Sequence, residues 1–325
     1  MSSPTRRTFL KALPLATLAT GCRTRPYNAS DFSIAAHSPV ALLPANDYSA
    51  NLADTIRRGM QMLAFNPAGK RVLLKPNLVE YESGTAINTH PAVVAGAADA
   101  MLAAGAAEVI VGEAPGHRRD LEYLLGSSGV EDVLRDHRLR FVDLNHDDVR
   151  QVPLSSHFTT LDALWLPATV LDADLVVSLP KLKTHHWAGL TASMKNFFGT
   201  VPGAVYGWPK NFLHVHGIEN SIVDLVATIK PALTIVDAIT AMEGDGPIMG
   251  TPRSLGFIAM GTDLPAVDAS LARIIGFDPA KIPYLRLART YLGNTEASRI
   301  EQRGEPLARY RTRFEVVDSV RSWLA

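Results

Sequence analysis

From Pro39 onward the sequence alternates short runs of β-branched and apolar residues with longer amphipathic stretches, a pattern that few architectures other than layered α/β folds can satisfy. The runs at 40–43, 72–75, 108–112, 139–144, 175–179, 233–236, 255–260 and 314–317 read as strands. The stretches at 50–65, 91–104, 121–125, 130–136, 218–229, 265–275 and 280–291 read as helices. Pro91 suits a first helical turn, where its missing N–H costs nothing, with Thr89 as the expected cap. Asp120 is expected to cap the next helix, and Asp263 and Asp268 to serve as caps and dipole partners of a later one. The expected fold class is therefore α/β, as two α/β domains with mainly parallel sheets and a cleft between them. The division falls as an N-terminal domain over 39–165 and a C-terminal domain over 166–325.

The chain has 325 residues, 47% of them hydrophobic, and no formal net charge, which allows two substantial cores and supplies no general attraction for nucleic acid. Its one cysteine, Cys22, excludes internal disulfides and any four-thiolate zinc or iron–sulfur site within the chain. A metal would have to use His, Asp or Glu.

Residues 1–22 read as an export signal. Thr5-Arg6-Arg7-Thr8-Phe9-Leu10-Lys11 is a twin-arginine pattern, followed by an apolar run from Ala12 to Thr20 and by Gly21-Cys22. The apolar part is short of the roughly 20 residues that span a bilayer. Small residues before Cys22 are similar to a bacterial lipobox, so the alternatives are acylation at Cys22 and ordinary cleavage beside it. The twin-arginine translocon is one expected partner, with the product periplasmic or anchored as a lipoprotein, and 23–38 serves as a linker. Contact with a membrane is expected only through a lipid on Cys22.

Ligands of open parallel sheets bind beyond the carboxyl ends of the strands. Polar residues recur there: Lys75-Pro76-Asn77 after one run, Gly116-His117-Arg118 after another, and Lys183, His185 and His186 after the run at 175–179. Asp237 and Glu243-Gly244-Asp245-Gly246-Pro247 follow a fourth. A lysine directly behind a buried strand needs an anion or a salt-bridge partner, so Lys75 meets either a ligand or an acidic side chain. His117 can act as acid or base near neutral pH or cap a helix. The spacing from His185 to Lys195 lets both face one pocket. His214-Val215-His216, read as extended chain, places both imidazoles on one side. With His186 they form a candidate metal set, against the alternative of hydrogen-bonded histidines lining a polar cleft. No G-x-S-x-G elbow, G-x-G-x-x-G turn or Walker loop occurs.

The combination "LLKPNLV", "NTHP", "SLPKLKTH", "MKNFFGTV", "HVHG" and "IVDAITAMEGDGP" resembles the family catalogued as domain of unknown function 362. A more distant resemblance is to the lactate racemases that hold a nickel-pincer nucleotide, through His185-His186-Trp187-Ala188-Gly189, Lys195 and a later histidine. That second resemblance implies His117 and His185 as an acid/base pair, Lys195 as a cofactor tether and His214 or His216 as a nickel ligand. The expected function is thus an exported enzyme with histidine acid/base chemistry on a small anionic substrate, a hydroxy acid racemised, epimerised or oxidised with a metal, nickel or zinc, or a tethered cofactor. Lys183 joins the catalytic set. Lys75, Asn77, Lys195, Arg118, Asp237 and Glu243 form the candidate cofactor-binding set. The alternative is a periplasmic anion- or metal-binding accessory protein without catalysis.

Overall fold

The computed structural model describes residues 25–116 and 120–325. The expected export signal with Cys22, and both His117 and Arg118, lie outside the described residues.

Among the described residues twelve strands are seen: β1 Ser38–Pro44, β2 Arg71–Pro76, β3 Glu108–Glu113, β4 Arg140–Asp143, β5 Val149–Pro153, β6 Ala163–Pro167, β7 Leu175–Leu179, β8 Lys181–His185, β9 Gly189–Thr191, β10 Leu233–Asp245, β11 Met249–Gly261 and β12 Ile300–Gly304. The main path of the large sheet runs β12-β1-β11-β10-β7-β2-β3-β4, with β8 and β9 branching from β10. The protein is a mixed α/β fold with a large, mainly parallel sheet. Strands from both sides of residue 165 share that sheet. β5 and β6 form a separate antiparallel pair.

Alternation along the strands puts successive side chains on opposite faces. Leu42, Leu73, Val176 and Val236 pack toward the helices Ile218–Ile229, Leu264–Ile275 and Pro283–Ala288. Leu43, Val72, Leu74, Val177 and Ile235 pack toward Leu52–Met62 and Pro91–Ala103 on the other side. The result is three layers with the sheet in the middle.

Local chemistry sets several element ends. Pro91 opens its helix as expected, but the capping acceptor is His90, whose Nδ1 accepts from Ala92 N. Thr89 is diverted: its hydroxyl donates to Leu179 O and accepts from Asn77 N, tying the end of β2 to that of β7. Asp120 and Asp263 cap as expected. Asp268 does not, because it lies inside its helix, wholly buried, where it accepts from Ser193 N, Met194 N and the Tyr284 hydroxyl. The expected strand at 314–317 is absent, and only an isolated bridge joins Val316 to Gly244.

A fork governs the middle of the sheet. β10 pairs with β7 at Leu233 and Thr234, then with β8 at Asp237 and Met242. Pro180 separates β7 from β8, and Asp237 N donates to its carbonyl at the branch.

Candidate active site

Beyond the fork lies a cavity of about 740 Å³. Its walls come from the segments after β2 and β3, from β8 and the turn after it, from residues 195–199, from 209–214 and from the β10–β11 turn. This volume falls in the range of ordinary small-molecule sites.

One wall is built on a buried ion pair. Lys75 Nζ lies 2.7 Å from Glu113 Oε2, with both side chains sealed from solvent. Nζ also donates to Pro76 O and to Asn196 Oδ1, while Glu113 accepts from Leu78 N and Ala114 N. Asn196 returns a bond from Nδ2 to Lys75 O and another to Ser178 Oγ. Burial lowers the Lys75 amine and raises the Glu113 carboxyl, each opposed by attraction to the other. Gly199 closes against this pair so tightly that a Cβ there would collide with Glu113 Oε1 and stand 2.6 Å from Lys75 Nζ.

Three further lysines line the cavity: Lys183, Lys195 and Lys210. Lys183 is buried and donates to Ile87 O at 2.8 Å; burial first, then Lys181 and Lys195, hold its amine well below the ordinary value. Lys210 donates to Ala114 O at 2.6 Å, and burial pushes it down to about 7. The Lys195 amine lies 3.6 Å from the centre of the Phe198 ring and is pushed down to about 7 by burial and then by Lys75. Among the described residues none of these three has a carboxylate partner. By contrast Lys181, on the same strand, is neutralised by Asp237 at 2.6 Å and hydrogen-bonded to Tyr48 and to Thr240 O.

The histidines divide by environment. His185 lines the cavity, and its Nδ1 accepts from Trp187 N and Ala188 N. The neutral ring therefore carries its proton on Nε2, and burial followed by repulsion from Lys195 holds it well below the usual histidine range. It can donate to a ligand, but the nitrogen that a base would use is already engaged. His186 faces Asp245 at 3.4 Å. His214 and His216 do not lie on extended chain: Asn211–Val215 is a short helix, and two positions along a helix point to nearly opposite sides. His214 lines the cavity with its Nδ1 buried and without a hydrogen-bond partner, depressed to about 4 by burial and then by Lys195. His216 turns away to Thr160 Oγ1. Among the described residues no three His, Cys, Asp or Glu side chains gather into a metal site. The histidine set expected for nickel or zinc does not fit one ion.

Other expected site residues hold structure together. Lys75 meets Glu113, the acidic partner that was its alternative to a ligand. Asp237 holds Lys181, Tyr48 and His90 N. Glu243 pairs with Arg253 and accepts from Glu315 N. Asn77 does line the cavity, and its Oδ1 is buried without a partner. Sequence reasoning missed Lys210 and Asn196. Lys210 follows Trp208-Pro209 in left-handed backbone at φ 64°, and the proline turn was the available signal.

Comparisons with known proteins agree with the motifs. The sequence matches the family described as Domain of unknown function (DUF362) over residues 72–273. A thylakoid-associated protein of Synechocystis sp. is 32% identical over 258 residues, covering 75% of this chain and 76% of its own. The lactate racemase apoprotein of Thermoanaerobacterium thermosaccharolyticum superposes with a TM-score of 0.43 at 13% identity, over 69% of this chain and 54% of that one. A protein of Thermotoga maritima gives 0.37 at 16%, over 65% and 56%. The chain thus spans just over half the length of either solved structure. On the family match and the identity to the Synechocystis protein, this chain belongs to the family of domain of unknown function 362.

Proposed function

We propose that this chain is an exported enzyme whose cavity holds a small organic anion and performs proton transfer on it. Three cavity-lining amines that have no carboxylate partner among the described residues carry this reading: Lys183, Lys195 and Lys210. Buried amines of this kind recover the cost of charging when an anion supplies the missing counter-charge. Of the acids that line the cavity, Glu80, Glu113 and Asp245, Glu113 is already committed to Lys75 and Asp245 faces His186. His185 contributes a neutral Nε2–H donor, suited to an anionic or carbonyl oxygen, rather than a base. The groups that gain and lose protons near neutrality are then Lys195 and Lys210. The described histidines do not converge as ligands of one ion.

Export and attachment through Cys22 belong to the same proposal. Among the described residues no helix is long and apolar enough to cross a membrane, and the Synechocystis relative is thylakoid-associated.

Titration calorimetry with inorganic phosphate, lactate and pyruvate tests the anion site. Binding of at least one of these to the wild type, weakened about tenfold or more in Lys195→Met and Lys183→Met, is the expected result. Wild-type protein that binds none of them, or variants that bind as well as the parent, would overturn the reading. Binding without any exchange of ligand hydrogens into deuterated water would favour the accessory-protein alternative.

A further inference from the structure

Among the lysines in and beside the cavity, Lys195 is distinct, being half-buried where Lys75, Lys181, Lys183 and Lys210 are buried. Lys75, Lys181, Lys183 and Lys210 each donate to a backbone carbonyl, and the first two also meet a carboxylate. Lys195 makes no hydrogen bond among the described residues and rests on the face of Phe198 within the cavity. Its nitrogen is thus both reachable from the cavity and unclaimed by any described acceptor. We propose that Lys195 is a nucleophilic amine that condenses with the carbonyl carbon of an oxo acid to give a protonated imine. This rests on the anion-site reading and names its substrate class.

The arrangement supplies each requirement. The carboxylate of an oxo acid meets the ammonium groups of Lys183 and Lys210, which have no carboxylate partner among the described residues. The carbonyl oxygen is offered the Nε2–H of His185. Attack needs the amine neutral, and burial brings Lys195 down to about 7, so a substantial fraction is unprotonated at neutral pH. In the addition a C–N bond forms, the carbonyl π pair moves to oxygen, and a proton shifts from nitrogen to that oxygen. The resulting carbinolamine loses its hydroxyl as water, taking one proton from a neighbouring ammonium, Lys210 or Lys183, while the nitrogen lone pair closes the C=N bond. The sum is carbonyl plus amine plus one proton to iminium plus water, with no oxidation or reduction. The iminium then acidifies the adjacent C–H, which is where a proton-transfer enzyme would act.

The test is reductive trapping in the full chain. Wild-type protein, Lys195→Arg and Lys195→Met are incubated with pyruvate or phenylpyruvate and sodium cyanoborohydride, and the adduct is located by peptide mass mapping. One saturable adduct on Lys195, blocked by excess inorganic phosphate and at least tenfold slower in Lys195→Arg, is expected. Its rate should rise with pH through about 7. Label spread over exposed lysines, or centred on Lys183 or Lys210, overturns the proposal. If calorimetry shows pyruvate bound while no adduct forms, the imine is refuted and the anion site stands; if phosphate, lactate and pyruvate all fail to bind and no adduct forms, both fall. Equal melting profiles for Lys195→Arg and wild type show that lost labelling is not lost folding.

Discussion

Replacing Glu113 by Gln removes one charge from a sealed pair and leaves the Lys75 amine facing only neutral oxygens. Breaking such a pair on one side costs about 3–5 kcal/mol. A ceiling follows independently from proton linkage. Lys75 can escape its burial by giving up its proton, which at pH 7 costs about 1.4 kcal/mol for each unit below an ordinary value near 10.4, or roughly 5 kcal/mol in all. The two figures agree. For a chain of this size about 2 °C is lost per kcal/mol, so the melting temperature should fall by roughly 6–10 °C at pH 7. The deficit has a defined pH dependence. In Glu113→Gln the folded amine is depressed below its unfolded value, so between them the unfolded chain binds the extra proton and stability rises with pH. The gap to wild type should therefore narrow from pH 7 toward pH 10. Scanning calorimetry at fixed rate measures it, with Lys75→Met/Glu113→Gln as the partner variant. That double variant should regain most of the loss, because Gln retains an acceptor for Leu78 N or Ala114 N and no amine remains stranded. A deficit below about 1 kcal/mol, or one that does not change with pH, would refute this account of the wall.

Gly199→Ala should destabilise by about 1–3 kcal/mol through overpacking against the same pair, and weaken phosphate binding as the 195–199 turn shifts; an unchanged denaturation midpoint would show that the turn yields freely. Binding of lactate, whose carboxylate keeps a single charge across this range, should tighten as pH falls through about 7, because Lys195 and Lys210 gain charge there, with proton uptake visible as a buffer-dependent calorimetric enthalpy. The same protonation without ligand opposes folding, so the unliganded protein should be less stable below pH 7 than above it as far as these two groups contribute. His185 should keep its Nε2–H tautomer from pH 5.5 to 8, read from ring nitrogen shifts; titration near 6.5 would refute a neutral ring whose Nδ1 is held as an acceptor.

Regular elements with a dense apolar pattern were readable. β7 and the helices Val130–Asp136 and Ile218–Ile229 fall where periodicity places them. β8 was not, since Lys181-Leu182-Lys183-Thr184-His185 looks like a polar loop and is buried only because Asp237 and Ile87 O, distant in sequence, receive its lysines. The run at 314–317 erred in the opposite direction: Phe314 N finds Ile275 O rather than a strand neighbour. His185 and Lys195 both line one cavity, an arrangement their spacing allows. The His214 and His216 pair was misjudged because a five-residue helix leaves almost no periodic trace. Which lysines meet an acid and which stand alone is decided by contacts across tens or hundreds of positions, and no local pattern encodes it.

The branching of β10 bears on how the pocket keeps its shape. One strand is stitched in turn to β7, whose other neighbour β2 leads into the Asn77 wall, and to β8, which carries Lys183 and His185. Opposing sides of the opening thus share a single hydrogen-bonded spine, so their spacing cannot widen without tearing a ladder. Admission of a ligand must then fall to the loops around the rim, while Lys183 and His185 on β8 keep their distance from the Asn77 wall whether or not anything is bound.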